Sequence, residues 1–386
     1  MKTIKGGITA PQGFKAAGLA AGIKQSGKID LALIVSDVPA TAAAVFTKNQ
    51  FKAAPILVSQ QQIKSGLCQA IIANAGNANC GTGKKGLKDA WQMVKETARA
   101  LKINPRHVLV TSTGSIHKFL PISKIVTAIP KLAKQLSKQG GEAAARAILT
   151  TDTRKKEIAV KVAMPNGRQG GYTIAGIAKG SGMIHPNLAT MHAFITTDAA
   201  IDRRTLQKLL KQAVDASFNL LTVDQCMSTN DCVFVLANGE SKSEILNPKS
   251  EQGFYKALEY VCKYLAQEIA RDGEGATQMI RVKVTGARNE AEARQAARAI
   301  AGSDLLKCAV YGRDHNPGRI LAAAGSTGAK LNQDKMTADM KFPPKGKQSG
   351  KETLVTCYLG VGKGSAEAWG CDLTEGYIRI NAEYHT

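Results

Sequence analysis

A threonine at position 190 lies where the chain passes from a glycine-rich segment to an apolar one. Residues 177–184 contain Gly180 and Gly182, and residues 191–195 form a short apolar run after Thr190. The Gly-x-Gly spacing alone favours an ordinary turn. Backbone cleavage before Thr190 would place its hydroxyl beside its own free α-amine, which can act as a general base. The residues alone therefore leave two alternatives, an amino-terminal nucleophile and an ordinary strand threonine.

His192 is a second residue near this junction whose type suits proton transfer at neutral pH. On a strand it would share a face with Thr190, two residues earlier, so the two side chains could be in contact. An amino-terminal threonine carries its own base, and this favours a His192 without a catalytic role. No group of His, Cys, Asp or Glu has metal-ligand spacing, so the sequence predicts no metal site.

The elements that would carry these residues indicate a mixed α/β fold, because short β-branched runs alternate with stretches of helical period. The predicted strands are residues 31–35, 70–73, 107–111, 157–162, 232–236, 280–285 and 354–359. Helices are predicted over residues 87–101 and 254–269, and two more begin after Asp202 and Asn289. Pro, Gly and Lys cluster at 341–350, which predicts a loop.

The length and composition limit the class of protein. The chain has 386 residues, of which 44% are hydrophobic and 21% charged, enough for one large domain or two moderate ones. This composition excludes a disordered, collagen-like or coiled-coil protein. No apolar run approaches the roughly 18 residues that a membrane span needs, so the sequence predicts a soluble chain.

The net charge of +22 is distributed unequally. Residues 1–189 hold 27 basic and 7 acidic side chains, whereas residues 190–386 hold 25 and 23. A positive field raises the local concentration of anions, which suggests a nucleic acid or an anionic small molecule as partner. The basic residues are scattered, without long runs or interleaved aromatic residues, and this pattern argues against nucleic acid as the partner. Lysines in solvated loops would give the same pattern.

The cysteines indicate the compartment. They are Cys68, Cys80, Cys226, Cys232, Cys262, Cys308, Cys357 and Cys371. None forms a Cys-x-x-Cys pair or has zinc-finger spacing to a histidine, and the amino end lacks the apolar core of a signal peptide. We therefore expect a cytoplasmic protein with reduced thiols.

Nine short blocks, spread over essentially the whole chain, resemble those of the ornithine acetyltransferase family, also called glutamate N-acetyltransferase, of the cyclic arginine pathway. The blocks are residues 7–14, 74–79, 112–114, 150–153, 178–184, 189–191, 228–231, 272–276 and 380–382. Collinear blocks at such separations are highly specific. The resemblance implies the layered α/β fold of that family, in which helices cover β-sheets.

The resemblance also implies autocatalytic cleavage between Ala189 and Thr190. The resulting chains, residues 1–189 and 190–386, would remain one folded unit, with two copies of each chain in the assembly. Thr190 would attack the acetyl group of N2-acetylornithine, release ornithine from an acetyl-enzyme, and pass the acetyl group to glutamate. Such a covalent intermediate predicts ping-pong kinetics.

Two further residues match the family's oxyanion pair. The hydroxyl of Thr113 and the backbone N–H of Gly114 would donate to the developing negative charge of each tetrahedral intermediate. Glycine would let the backbone approach closely at this point. Without the resemblance, Ser112-Thr113-Gly114 would be interpreted as a turn after a strand.

By the same resemblance, Thr153, Lys179, Glu274, Asn381 and Thr386 fall where the family binds its substrates, together with Thr190. Lys179 offers a positive charge to a carboxylate, and Glu274 offers a negative charge to the ornithine ammonium. Asn381 offers both a donor and an acceptor. Thr386 ends this sequence, so its carboxylate could matter as well as its hydroxyl. A solvated surface charge is the alternative for Lys179 and for Glu274.

No resident cofactor is implied, but some members of the family also accept acetyl-CoA as a donor. No single residue decides whether this chain does. The positive amino-terminal half would favour a phosphate-rich donor by electrostatic steering.

The chain departs from the family pattern at four places. Gln225 and Cys226 stand in residues 223–227 where the family usually has a glycine and an aspartate, and a local change of the loop is expected. His117 replaces a common glycine and His192 a common leucine, and residues 314–319 lack a usual tryptophan. None of these changes removes a proposed catalytic group.

Two other functions remain as alternatives. An amidase or peptidase would keep the fold and the nucleophile but pass the acyl group to water, so it would release acetate without glutamate. A basic nucleic-acid-binding protein on an inactive scaffold would bind RNA or DNA in a salt-dependent way without turnover.

Overall fold

The computed structural model describes residues 1–163, 170–185, 191–344 and 352–383. It confirms the mixed α/β class. The strands are β1 (Lys2–Ile4), β2 (Phe14–Leu19), β3 (Leu31–Phe46), β4 (Leu67–Asn77), β5 (Val108–Ser115), β6 (Lys156–Ala163), β7 (Gly171–Lys179), β8 (His192–Thr197), β9 (Cys232–Ala237), β10 (Met279–Ala287), β11 (Thr337–Lys341), β12 (Glu352–Tyr358) and β13 (Gly364–Cys371). The helices are α1 (Ala54–Gln62), α2 (Gly83–Leu101), α3 (Ile122–Lys134), α4 (Gly141–Ala147), α5 (Arg203–Asp215), α6 (Pro248–Arg271), α7 (Glu290–Gly302), α8 (Asp304–Gly312), α9 (Pro317–Gly325) and α10 (Glu375–Ala382).

The described strands form two sheets. In the main sheet the spatial order is β1, β6, β7, β8, β9, β3, β4 and β5, with β2 paired to β3. The smaller sheet has the order β11, β12, β10 and β13. The pairs β8–β9 and β4–β5 of the main sheet are parallel, and its other pairs are antiparallel. Strands β8 and β9 are therefore inserted between β7 and β3 in the main sheet.

The helices cover the sheets because their apolar faces match the buried faces of the strands. On the part of the main sheet formed by β3, β4 and β5, Leu33 and Ile72 pack in one core with Met93 of α2 and Ile129 of α3. Helix α6 contacts β6 and β7 of the main sheet and β10 and β13 of the smaller sheet. The loop that follows α6 is thereby held between the two sheets.

Local signals explain several boundaries. Asp202 caps α5 by accepting hydrogen bonds from two backbone N–H groups, and Asn289 caps α7 by accepting one, as predicted. Strand β3 is much longer than the predicted residues 31–35, because an irregularity between Val35 and Ala40 interrupts the pattern without ending the strand.

The glycine-rich segment and the predicted loop require corrections. Residues 177–179 are not loop but the end of β7, so the turn begins at Gly180. Lys341 ends β11, whereas residues 345–350 of the predicted loop lie outside the described residues. Within the described residues, no helix combines the length and the apolar character needed to cross a bilayer.

Candidate active site

A cavity of about 490 Å³ lies where β5 and β7 end and where β8 and β9 begin. The strand register explains this convergence, because Lys179 at the end of β7 pairs with His192, and His192 pairs with Cys232 at the start of β9. Five residues predicted from the sequence line this one cavity: Thr113, Gly114, Lys179, Glu274 and Asn381. Residues that are far apart in sequence therefore meet in one polar pocket.

Three of the predicted residues, Ala189, Thr190 and Thr386, lie outside the described residues. Described residues on both sides of Ala189 and Thr190 in the sequence line the cavity. Met183 and Ile184 line it before that segment, and Met191, which directly follows Thr190, lines it after.

Gly114 lies near the end of β5 in a conformation that favours glycine. Its φ is +131°, and a Cβ atom here would come within 2.3 Å of the backbone carbon of Gly76 on β4. Only glycine fits without moving the two strands apart. The close approach expected at this position is thus an approach to the neighbouring strand, and it fixes where the backbone of residues 113–115 lies on the cavity wall.

Thr153 is not among the residues that line the cavity. Its hydroxyl donates to the carboxylate of Asp272, and its backbone N–H donates to Asp272 Oδ2 at 3.1 Å. The cavity wall in this region is formed instead by Thr150 and Thr151. Thr153 thus ties the loop before β6 to the end of α6.

The same aspartate belongs to a buried ion-pair network behind the cavity. Lys156 Nζ lies 2.6 Å from Asp152 Oδ1 and 2.5 Å from Asp272 Oδ2, and its side chain is fully buried. Asp152 also accepts the N–H of Gly180 at 2.7 Å. Burial would raise the pKa of Asp152, but the charges of Lys156 and Lys179 and the Gly180 N–H outweigh it, so the pKa is lowered. Asp152 therefore stays ionised, and its hydrogen bond with Gly180 fixes the turn that follows β7.

Lys179 and Glu274 are not solvated surface charges. Each is only 7% exposed, so that alternative from the sequence is wrong. Lys179 Nζ lies 4.0 Å from Asp152 Oδ2, a carboxylate whose other oxygen is already bound by Lys156. Among the residues that the structure describes, the Lys179 charge is therefore only partly matched, and it is available to a carboxylate in the cavity.

Glu274 is oriented by Asn381 and by a glycine. Asn381 Nδ2 donates to Glu274 Oε2 at 2.9 Å, and the Glu274 backbone N–H donates to the carbonyl oxygen of Ser181 at 3.1 Å. A Cβ atom on Gly182 would lie 2.2 Å from Glu274 Oε2. The glycine after Ser181 thus leaves room for the carboxylate, which explains part of the glycine-rich pattern.

His192 is buried at the start of β8 and lines the cavity. Its Nε2 lies 3.0 Å from the carbonyl oxygen of Asn230 and 3.1 Å from the hydroxyl of Thr111. A carbonyl oxygen only accepts, so we assign the proton to Nε2. Burial and then the charge of Lys179 lower the pKa of His192 to about 3. The ring is therefore neutral at physiological pH and a weak base, which agrees with a structural role.

Asp231 is a cavity residue to which the sequence assigned no role. It precedes β9, is nearly fully buried, and its Oδ2 has no hydrogen-bond partner among the described residues. Burial raises the pKa of Asp231 well above its ordinary value, against the opposing effects of the Ser228 hydroxyl and the charge of Lys179. The cavity wall therefore includes a carboxyl group with a raised pKa, and Met191, the residue after Thr190, lines the same cavity.

Asp224, in the segment around residue 225, holds a part of the chain that lines the cavity. Asp224 accepts the N–H of Met183 at 2.6 Å and that of Ile184 at 2.8 Å, and so holds the segment that leads to position 186. Gln225 has a φ of +60°, the left-handed region that favours glycine. A residue in an unfavourable backbone conformation, Gln225, therefore lies next to Asp224, which binds Met183 and Ile184.

Sequence reasoning missed the supporting residues Asp152, Lys156, Asp231 and Asp272. Three of them are aspartates inside the blocks that resemble the family, and their place in those blocks could have identified them as parts of the site. Lys156 gave none, because it begins an ordinary alternating strand. No group of three or more His, Cys, Asp or Glu that could hold a metal ion is found among the described residues.

The cavity can bind and orient a small molecule that carries both charges. It offers a buried cation, a buried and oriented carboxylate, and the hydroxyl and backbone groups of residues 113–114. Such an arrangement suits acyl transfer on an amino acid, because the charges fix the amino-acid head while neutral donors face the reacting carbonyl.

Comparison with known proteins gives consistent matches over the full length. The model of the ArgJ family matches residues 15–386. The arginine biosynthesis bifunctional protein ArgJ of Dehalococcoides mccartyi is 47% identical over 400 residues, which cover 99% of this chain and 98% of that protein. The protein of the same name from Symbiobacterium thermophilum is 45% identical over 405 residues, which cover 100% of both.

Among solved structures, two similar chains at 41–42% identity each cover 49% of this one. The ornithine acetyltransferase of Mycobacterium tuberculosis, solved in complex with ornithine, is 41% identical, covers 49% of this chain and 99% of its own, and gives a TM-score of 0.46.

Proposed function

Because the chain belongs to the ArgJ family, we propose that it transfers the acetyl group of N2-acetylornithine to glutamate through an acetylated Thr190. The observation that carries this proposal is the cavity. It brings together the pair Thr113–Gly114, the charges of Lys179 and Glu274, and Met191, the residue next to the proposed nucleophile.

In the first half-reaction the Thr190 hydroxyl oxygen attacks the acetyl carbonyl, and its proton passes to the free α-amine of the same residue. Thr113 and Gly114 donate to the negative oxygen of the tetrahedral intermediate, a contribution of about 3 kcal/mol for each donor in related chemistry. The C–N bond then breaks, the α-amine returns the proton to the leaving nitrogen, and ornithine departs. Glu274 binds the ornithine ammonium and Lys179 the carboxylate.

In the second half-reaction the α-amine of glutamate attacks the carbonyl carbon of the Thr190 ester, while Lys179 holds a glutamate carboxylate and the same oxyanion donors serve again. The Thr190 α-amine takes the proton from the attacking nitrogen and passes it to the Thr190 oxygen as the ester C–O bond breaks, so N-acetylglutamate leaves and the free threonine is restored. Water is the competing acceptor, and a hydrolase would use it. The reaction needs no resident cofactor, because the threonine supplies both the nucleophile and the base. Asn381 orients Glu274, and we propose that Thr153 and Thr386 are among the groups that support the substrate site.

Maturation by cleavage between Ala189 and Thr190 would leave the sheet intact. Strands β8 and β9, which follow the cleavage point, lie between β7 and β3, which precede it. Their backbone hydrogen bonds would hold residues 1–189 and 190–386 together as one unit, and we expect two copies of each in the assembly. All eight cysteines are free thiols, which suits a reducing compartment, and we expect the enzyme in the cytoplasm.

We also propose acetyl-CoA as a second acetyl donor. The relatives are named bifunctional, and the excess of basic residues in the amino-terminal half would attract a phosphate-rich molecule. The formation of N-acetylglutamate from acetyl-CoA and glutamate tests this donor, and no product with acetyl-CoA alongside normal turnover of N2-acetylornithine would exclude it.

The test of the main proposal combines intact mass with an acetyl-transfer assay. The denatured protein should give two fragments with the masses of residues 1–189 and 190–386, and Thr190→Ala should give one chain of 40.9 kDa without activity. Thr190→Ser, which keeps a hydroxyl, should retain part of the cleavage and part of the acetyl-transfer activity. Ornithine release that depends on glutamate supports the transferase, whereas acetate release without glutamate would identify a hydrolase. A single inactive wild-type chain would contradict the proposal.

A further inference from the structure

A second cavity, of about 540 Å³, lies beside the segment that forms one wall of the first. Residues 182–184 line the active cavity, and His185, the next residue, lines the second one. Arg298 of α7 also lines this second cavity, as do Arg294, Asn219 and Gln225. The proposed acetyl transfer uses none of these side chains.

The guanidinium of Arg298 is unusual in this cavity. Its Nε and Nη2 atoms are buried, and within the described part of the chain neither has a hydrogen-bond acceptor. Burial lowers the pKa of Arg298, and its positive charge, after burial, helps to lower the pKa of His185 to about 4. A buried charged donor without an acceptor is strongly unfavourable. In native structures a protein group, an ordered water molecule or a bound ion normally provides the acceptor.

The geometry of the two unpaired atoms indicates the kind of acceptor. Nε and Nη2 lie on the same edge of the guanidinium plane, so their N–H groups point in the same direction. This edge matches the two oxygens of a carboxylate or of a phosphate, which it binds through two parallel hydrogen bonds. A single water molecule satisfies such a pair less well, because it offers one oxygen to two donors.

The other charged groups of the cavity have partners of their own. Arg294 Nη2 lies 3.3 Å from Glu290 Oε2. Asp215 Oδ1 accepts a hydrogen bond from Asn219 at 2.6 Å, which orients this carboxylate without neutralising it, and Asp215 forms no ion pair with Arg298. Arg298 itself forms no ion pair with any residue that the structure describes. The cavity therefore contains one cation whose partner is not part of the described protein.

We propose that this second cavity is a binding site for a small anion that carries a carboxylate or a phosphate group, held by the Nε–Nη2 edge of Arg298. The site is distinct from the active cavity and independent of acetyl transfer. Its ligand would sit one residue away from the wall of the active cavity, on the side of His185.

Calorimetric titration of the purified full-length protein with malonate and, separately, with inorganic phosphate tests the site. At least one of the two anions should bind saturably to the wild type, and comparison of the two distinguishes a carboxylate site from a phosphate site. Arg298→Gln should weaken that binding at least tenfold. Arg288→Gln is the matched control, because Arg288 is an exposed arginine just before the same helix, paired with Glu292, and it should leave the binding within twofold of the wild type.

Two further measurements protect the test against a folding defect. Ala299→Leu keeps the charge of Arg298 but fills space in the cavity, and it should also abolish binding. In buffer without either anion, Arg298→Gln should melt at the same temperature as the wild type or higher, because it removes an uncompensated buried charge.

Three results would overturn the proposal. These are no saturable binding of either anion to the wild type, equal binding by Arg298→Gln, and a melting temperature several degrees lower for Arg298→Gln in anion-free buffer. The last would show that Arg298 has a partner within the protein.

Discussion

The two parts of the chain on either side of position 190 contribute opposite chemistry to the active cavity. The part before it supplies hydrogen-bond donors and a positive charge, through Thr113, Gly114 and Lys179. The part after it supplies carboxyl groups, through Asp231 and Glu274. The overall composition differs as well, since residues 1–189 have 27 basic and 7 acidic side chains whereas residues 190–386 are nearly balanced with 25 and 23. A cavity that is suited to a zwitterion thus arises where two unlike walls meet.

The fold does not share this division. In the main sheet, β8 and β9 from the second part are inserted between β7 and β3 from the first. Cleavage between the parts would therefore divide the chemistry of the site without dividing the structural unit. Each wall can be altered separately, and the substitutions below, taken from the largest expected effect to the smallest, test whether the walls have the roles assigned to them.

Gly114→Ala should have the largest effect, because it alters the donor wall at its tightest point. The new Cβ atom would overlap the backbone of Gly76 and would sit at a φ of +131°. The oxyanion donors should then be displaced, and kcat should fall by about 10²- to 10³-fold. Steady-state kinetics of both half-reactions would measure this loss, which should be similar in the two because both use the same donors.

Gly253→Ala is the matched control for that substitution. Gly253 lies in α6 with open space around its Cα, so the same added methyl group should leave kcat unchanged. Thr113→Val removes the other donor without moving the backbone, and it keeps the test interpretable if Gly114→Ala fails to fold. Normal kcat values in both Gly114→Ala and Thr113→Val would show that these residues do not form the oxyanion site.

Glu274→Gln and Lys179→Gln remove one charge from each wall and should differ in which substrate they affect. Glu274→Gln should lower kcat/KM for N2-acetylornithine by about 10- to 100-fold, since a charge-assisted hydrogen bond contributes about 1.5–3 kcal/mol. It should affect glutamate much less, because glutamate has no side-chain ammonium. Lys179→Gln should lower kcat/KM for both substrates.

Ping-pong kinetics allow the two half-reactions to be measured separately, so the two variants serve as controls for each other. Circular dichroism should show that both fold. An equal loss for the two substrates in Glu274→Gln would contradict its assignment to the ornithine ammonium, and the division of roles between the walls would have to be abandoned.

Asp231→Asn tests whether the second wall carries a neutral carboxyl group. The pKa of Asp231 in the folded protein is raised well above its ordinary value of 3.8. Between that value and the raised pKa, the folded state keeps a proton that the unfolded state has lost, so wild-type stability falls as the pH rises, by up to about 1.4 kcal/mol per pH unit. The amide introduced by Asp231→Asn does not titrate, so the variant should gain stability relative to the wild type as the pH rises above about 4.

Urea unfolding at several pH values between about 4 and 6 measures this trend. Asp202→Asn is the control with the opposite sign, because the pKa of Asp202 is lowered by hydrogen bonds to Thr205 at the start of α5. There the wild type loses stability only as the pH falls below about 4, so the variant should lose its disadvantage below that pH and show little trend between about 4 and 6. If the stability difference between Asp231→Asn and the wild type did not change with pH, Asp231 would not be a group of raised pKa.

The sequence predicted the fold class and most buried strands, because apolar patterns record local burial. It failed where local and tertiary signals diverge. The sequence predicts no helix where α3 lies, and α3 continues through Pro130, a residue that a helix interior disfavours. Residues 177–179 read as part of a glycine-rich turn, yet they pair with β8, and residues 177 and 178 also pair with β6. In both cases the contacts that decide the structure come from elements distant in sequence.

The site followed the same rule. The blocks identified Thr113, Gly114, Lys179, Glu274 and Asn381, and the structure places all five on one cavity. The blocks could not show that Lys179 and Glu274 are buried, because burial depends on how α6 and α10 pack. They also could not separate Thr153, which binds Asp272, from the residues that line the cavity.

The smallest expected effect concerns the loop that follows the donor wall. His117 has a φ of +63°, and its backbone N–H donates to the carbonyl oxygen of Cys80 at 2.8 Å, so the chain enforces a left-handed conformation on an exposed non-glycine residue. A glycine at this position would relieve about 1–2 kcal/mol of strain but would add unfolded-state entropy worth about 0.4–1 kcal/mol. His117→Gly should therefore raise the free energy of unfolding by about 0.5 kcal/mol, measured by urea denaturation. His107→Gly makes the same substitution at a residue outside the left-handed region, where only the entropic loss applies, and it should be destabilising. A loss of stability in both variants would mean that the loop is not strained at His117, and that the histidine makes contacts there which offset its unfavourable φ.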